Sequence, residues 1–272
     1  MREFECRKPI TVSLRLGGGS VDIIAEERST AEVDITPWDD SDAARDSAHN
    51  ARVELHGDTL NIAAPESNAA WLWRRSARLR VRLKVPIGSQ LALKVGSADI
   101  SAVGRYGEAH LNIASGDAYV EHITGALNAN AASGDLRVDR IDGQLRTNSA
   151  SGDVSIGYVA GDATVHAASG DIAIGRADAS LHAVTASGDI SIDRVSRGQV
   201  RMRSASGDVV IGVTPGTGVW LDLSTSLGDA HSDLRMTEAP SNHGGADLHL
   251  QVRTISGDVH VRRVTTDLPA AA

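Results

Sequence analysis

Apolar and polar residues alternate along most of this chain in short bursts, and the bursts return at one interval. Reading forward from Asp117, the third residue is aliphatic in unit after unit: Val120, Val138, Ile156, Ile174, Ile192, then Ile211. The residue directly after the aspartate is usually apolar too, at Leu136, Val154, Ile172, Ile190 and Val209. Tyr119, Arg137, Ser155 and Ser191 stand between them, so the period is two, that of a half-buried strand. Another apolar position comes three residues later (Ile123, Ile141, Val159, Val195), followed by a glycine that predicts a bend (Gly107, Gly125, Gly143, Gly161). A second short strand is expected beyond it, with Leu127, Leu145, Ala163 and Leu181 inward. The unit closes on a small residue: Ala114, Ala132, Ala150, Ala168, Ala186 or Ala205.

The marker of each unit is Ser-Gly-Asp. Its aspartates Asp117, Asp135, Asp153, Asp171 and Asp189 are spaced 18 residues apart, and a degenerate copy ends at Asp99, 18 earlier. Further copies end at Asp208, Asp229 and Asp258, where the spacing loosens to 19, 21 and 29. A fixed short period means stacked units, none of which can bury its apolar face alone. Eighteen residues at about 3.3 Å each trace a perimeter of roughly 60 Å, one turn around a narrow interior, and parallel turns stack about 4.8 Å apart. Helical repeats are opposed by two glycines per period and by β-branched enrichment. The expected fold is all-β: a single-stranded parallel β-helix (a β-solenoid), right-handed by analogy, with 18-residue coils.

Residues 1–95 are predicted to form an N-terminal β-rich cap merging into this solenoid. Leu14 to Ile24 reads as an imperfect coil with its own glycine corner; Val33–Thr36, Arg52–Leu55, Thr59–Ile62 and Leu79–Val85 alternate as strands. Asp39 to Asn50 is polar and reads as a short helix or loop. Residues 96–263 carry the solenoid, with a loop from Met236 to Gly245, and 264–272 form a tail. Caps are expected because an open end exposes core and unpaired strand groups.

The corner tripeptide has a local rationale. Gly116, Gly134, Gly152, Gly170 and Gly188 supply positive φ at low cost, and the aspartates accept from backbone N–H groups. Repetition would stack these side chains into a ladder. The rival expectation is a weak cation site along Asp117, Asp135, Asp153, Asp171 and Asp189, although the calcium-binding nonapeptide repeat is not reproduced.

Composition narrows the function classes. A formal charge of −8 argues against a general nucleic-acid binder, and an aromatic fraction of 3% against a core built on aromatic anchors. Cys6 is the only cysteine, so no internal disulfide forms. No signal-like or membrane-spanning apolar run is visible, so a cytoplasmic location is the default expectation. Few lysines, many arginines and abundant Ala and Gly suggest a GC-rich bacterium. Trp71, Trp73, Arg74 and Arg75 form a candidate partner-binding loop, Trp with Arg being a frequent interface pair; membrane contact and coverage of the cap are the alternatives. Metalloprotease, nucleophile-elbow, phosphate-loop and paired-cysteine motifs are all missing. His122, His166 and His182 sit at different offsets in their coils and are not expected to share a metal. No catalytic residue and no cofactor are predicted.

The units Ala-Ser-Gly-Asp followed by alternating apolar residues, the entry Val12–Ile23, the strand Leu79–Val85 before Pro86, and the close from Arg253 to Arg263 resemble the bacterial β-strand-repeat family labelled putative adhesin. This is a domain of unknown function common in actinobacteria. The resemblance spans roughly residues 8–263 and implies a single-stranded β-helix, with links to envelope stress in some relatives and no catalytic residues. The leading expectation is a non-enzymatic binding or scaffold module, monomeric or a small homo-oligomer, that engages a protein or envelope-associated partner. A bactofilin-like structural polymer and a carbohydrate-active β-helix are the alternatives.

Overall fold

A computed structural model describes residues 1–64, 77–234 and 247–264. The chain begins with β1 (Arg2–Glu5), the long β2 (Thr11–Glu26), β3 (Thr30–Pro37), helix α1 (Asp42–His49), β4 (Arg52–His56), β5 (Thr59–Ala63), β6 (Leu79–Pro86) and the long β7 (Gln90–Tyr106). Ser41 caps α1 by accepting from the Ala44 N–H, so the polar segment is helical. Two strands per coil follow: β8 (Ala109–Ser115) and β9 (Ala118–Ile123), β10 (Leu127–Ser133) and β11 (Leu136–Ile141), β12 (Leu145–Ser151) and β13 (Val154–Val159). The series continues with β14 (Ala163–Ser169) and β15 (Ile172–Ala177), β16 (Leu181–Ser187) and β17 (Ile190–Val195), β18 (Gly198–Ser206) and β19 (Val209–Val213). The last coils are β20 (Val219–Leu227) with β21 (Ala230–Ser232), and β22 (Leu248–Ser256) with β23 (Val259–Arg263).

Pairing between coils is parallel and in register. Val120 lies beside Val138, Val138 beside Ile156, Ile156 beside Ile174 and Ile174 beside Ile192, all buried. On the other wall Leu127, Leu145, Ala163, Leu181 and Val200 form a second inward column. The chain is therefore the expected all-β parallel β-helix, and its core is a thin seam of aliphatic columns. Near the corner the seam turns to hydroxyls: Ser149, Thr185, Ser204 and Thr254 are buried there, and Thr185 and Thr254 donate to backbone carbonyls. The closing alanines lie outside the seam. Ala114, Ala132, Ala150, Ala168, Ala186 and Ala205 all face outward, because each sits one residue past the last inward position of its strand.

The coils are not stacked in chain order. β2 lies between β7 on one side and β5 with β6 on the other, all parallel to it. The first coil of the sequence is thus enclosed, and a later one is outermost. The far end repeats the arrangement. β22 pairs with β18 on one side and β20 on the other, and β23 likewise lies between β19 and β21. The loosened spacings at Asp229 and Asp258 are the sequence trace of this insertion. At the first end the outermost coil is covered by antiparallel strands: β4 on β5, and β3 with β1 on β6. Tyr106 ties the enclosed first coil in place, its buried hydroxyl lying 2.9 Å from the carbonyl oxygens of both Ile23 and Val103.

The corner glycines carry the closest contacts. Gly152 has φ 116°, and a Cβ there would lie 2.2 Å from the Gly134 carbonyl oxygen. Both the backbone angle and the space exclude a side chain. Gly57 has φ 59° with nothing near its missing Cβ. Chemical denaturation should therefore separate two variants: Gly152→Ala loses at least about 3 kcal/mol, Gly57→Ala only about 1 kcal/mol.

Candidate functional site

Three surfaces run the length of the rod. The first is the corner. Each corner aspartate donates its backbone N–H to Oδ1 of the aspartate in the adjoining coil. The contact is 3.1 Å from Asp117 to Asp99, 2.9 Å from Asp135 to Asp117, and 2.8 Å for Asp153, Asp171 and Asp189 onto their predecessors. The series continues through Asp208, Asp258 and Asp229, in the spatial order of the coils, at 2.8 Å each. These bonds cross between coils and do not close a turn within one. A charge-assisted bond of this kind is worth about 1.5–3 kcal/mol, which exceeds the repulsion of roughly 0.8 kcal/mol between carboxylates about 5 Å apart in water. With Oδ1 engaged, a single file of exposed carboxylates offers little of the cage of about six to eight oxygens that calcium takes. Asp153→Asn, which keeps an acceptor oxygen, should leave stability within about 0.5 kcal/mol, whereas Asp153→Ala should cost about 1 kcal/mol or more. Millimolar calcium should shift the melting temperature of neither.

The second surface is the outer side of β9, β11, β13, β15 and β17. Its polar groups are spent on one another. Tyr119 donates to Asp139 at 2.6 Å, His122 meets Asp142 at 2.7 Å, and Arg140 meets Asp142 at 2.8 Å. The Tyr158 ring lies between two guanidinium groups, Arg140 at 4.7 Å and Arg176 at 5.7 Å, and its hydroxyl donates to Asp178. Asp142 is held below the ordinary carboxyl range, first by the hydrogen bond to His122 and then by Arg140. Burial alone would raise Asp178, but the bonds from Arg176 and Tyr158 outweigh it and keep this carboxyl low. A depressed folded pKa contributes stability above the unfolded value of about 3.9, and that contribution is lost as pH falls through the folded one. Acid titrations should show a smaller loss of stability below about pH 4 in Asp178→Asn than in the native chain.

The third surface is the outer side of β2, β7, β8, β10, β12, β14, β16, β18 and β22 on the opposite wall. In β7 this applies to residues 90–97, and in β2 to residues 11–16. These stretches contain no aspartate or glutamate. Their outward positions instead carry Arg15, Lys94, Arg146, Arg201, Arg203 and Arg253, with His110, His166 and His182 among them; an acid enters this wall only at its far end, on β20, where Asp222 accepts from Gln251 and lies 3.9 Å from Arg253. On a molecule of charge −8 this wall is a basic strip bordered by the aspartate row. Midway along it, Asn112, Asn130 and Asn148 form a ladder, Asn130 Nδ2 donating to Asn112 Oδ1 at 3.2 Å and Asn148 Nδ2 to Asn130 Oδ1 at 2.9 Å. Between this ladder and the row of outward alanines lies an open trough of about 590 Å³, lined also by Lys94 and Ala168.

Trp71, Trp73, Arg74 and Arg75 lie outside the described residues, as does the loop around Pro240. Sequence reading overlooked the asparagine ladder and the acid-free wall, both visible once the repeats are aligned at 18 residues. His166 and His182 meet only ring edge to ring, 5.7 Å apart, in keeping with their different offsets. Among the described residues, one trio brings metal-ligating atoms within reach of a single ion, His231 with Asp233 and His260, at the far end of the rod.

A family model described as Toastrack DUF4097 matches residues 11–262. The chain belongs to this family. The match runs from the enclosed first coil to the enclosed last one, so the Toastrack unit is the whole solenoid with its inserted ends. No curated protein matches the chain. Among solved structures, a "putative adhesin" from Bacteroides fragilis is 11% identical, covering 97% of this chain and 95% of its own, with TM-score 0.45. A "putative lipid binding protein" from Parabacteroides distasonis is 9% identical over 97% and 96%, with TM-score 0.39. A "putative cell adhesion protein" from Clostridium sporogenes is 10% identical over 96% and 94%, with TM-score 0.23. At these scores they add nothing to the assignment of this Toastrack chain.

Proposed function

We propose that this Toastrack chain is a non-enzymatic binding rod whose acid-free wall holds an acidic protein partner, free or at the cell envelope. The observation that carries this reading is the segregation of charge. The wall of β9 to β17 has neutralised itself through tyrosine, arginine and aspartate contacts, whereas the opposite wall from β2 to β18 keeps its cations without carboxylate partners, Arg253 alone meeting Asp222 at the far end. The trough beside the asparagine ladder is open and shallow, which suits the surface of another macromolecule better than an enclosed small ligand. Among the described residues, its lining has no aromatic ring on which a sugar could stack. The asparagine amides retain free N–H groups for a partner's carbonyls or carboxylates. An end-to-end filament is disfavoured by the antiparallel strands β1, β3 and β4 that cover one end.

A photo-crosslinking residue at Asn130, compared in the native bacterium with one at Ser155 on the opposite wall, tests this reading. The Asn130 probe should trap an acidic protein that the Ser155 probe does not. Capture should fall at least tenfold in Arg146→Glu/Arg201→Glu/Arg203→Glu and should weaken with added salt. Equal trapping at both positions, or capture indifferent to the charge reversals, would remove the wall as the binding face.

A further inference from the structure

We propose that His231, Asp233 and His260 bind a divalent first-row transition-metal ion, and that the ion staples the outermost coil, β20 with β21, to the inserted coil, β22 with β23. The two histidines hold the same place in their coils, each two residues after a corner aspartate (Asp229, Asp258). Insertion of the last coil makes those coils neighbours, so the histidines pair directly across β21 and β23 with ring centroids 5.4 Å apart. Asp233 leaves the end of β21 with its backbone N–H donating to the Val261 carbonyl at 2.9 Å, which holds its carboxylate beside the pair. Its two oxygens are divided between them: Oδ1 lies 2.8 Å from His231 Nε2, and Oδ2 lies 3.2 Å from His260 Nε2.

This donor set points to a transition metal. The three ligand atoms lie within 4.8 Å of one another. Zinc bonds of about 2.0–2.2 Å to nitrogen and oxygen, set tetrahedrally, separate ligand atoms by about 3.4 Å. The nitrogen-to-oxygen distances in hand, one to each carboxylate oxygen, need to open by well under an ångström, and the other separations, none above 4.8 Å, need to close by no more than about 1.4 Å. All three side chains are substantially exposed, so they have room to move. Imidazole nitrogen with one carboxylate suits zinc, nickel or copper, whereas calcium would seek a shell of oxygens. Binding needs each neutral imidazole to carry its proton on Nδ1, leaving Nε2 free to meet the ion between the rings and the carboxylate. The remaining coordination positions go to solvent.

The coil that this site would staple needs it most. Among the described residues, β20 and β21 pair on one edge only, and Trp220, Leu227 and the adjacent Ile255 are 50%, 71% and 59% exposed. Zinc titration of the full chain against a competing chromogenic chelator should give one ion per chain, reversed by EDTA and unaffected by excess calcium. Affinity should fall at least tenfold in His231→Ala/His260→Ala and in Asp233→Asn, and stay within twofold in His166→Ala/His182→Ala. Circular dichroism of the metal-free variants checks that the coils remain formed. Zinc should also slow hydrogen exchange in β20 and β21 of the native chain and not of the double variant. Equal zinc affinity in native chain and double variant, or one-to-one binding with no change of exchange in these strands, would overturn the proposal.

Discussion

One contact sets the geometry of the whole rod: the approach of each corner glycine to the carbonyl of the corner beside it. The missing side chain at Gly134, Gly152, Gly170 and Gly188 lets neighbouring backbones come together where regular strand pairing would break. The aspartate that follows then lends its carboxylate to the N–H of the adjoining aspartate. Register across the corner is thereby fixed, and register decides everything on either side of it. Inward, it aligns Val138 with Ile156 and Leu145 with Ala163. Outward, it turns a repeated letter into a row, so that three asparagines become a ladder and Tyr158 falls between Arg140 and Arg176.

The two walls share this frame but differ in what they leave unused. One closes its charges into a hydrogen-bonded mesh. The other keeps basic groups and amide N–H groups available, with apolar alanines beside them. A rigid lateral strip of this kind suits recognition along a length better than chemistry at a point, which is why the proposed binding face is this wall and not the corner.

The solenoid itself was legible from residues 99–211, because the 18-residue period is uninterrupted and each coil repeats the same inward letters. Corner glycine and aspartate were legible for the same reason, although the carboxylates reach across to the adjoining coil instead of around their own turn. The order of coils at the ends was not legible. Spacing along the chain reports when a coil is made, not which neighbours it finds, and the parallel edges of successive coils offer equivalent pairing to any strand of matching pattern. His231 and His260 were passed over since 29 residues separate them, and only the insertion brings them side by side.

The enclosed position of the first and last coils has a mechanical consequence. A solenoid wound in simple order peels from its end, rupturing one coil's bonds at a time under modest load. Here a force applied beyond β23, or on β2 once the single ladder of β1 has given way, reaches a strand gripped on both edges, so rupture requires two ladders to shear together. A rod anchored at one terminus and loaded along its side would be clamped at its point of attachment.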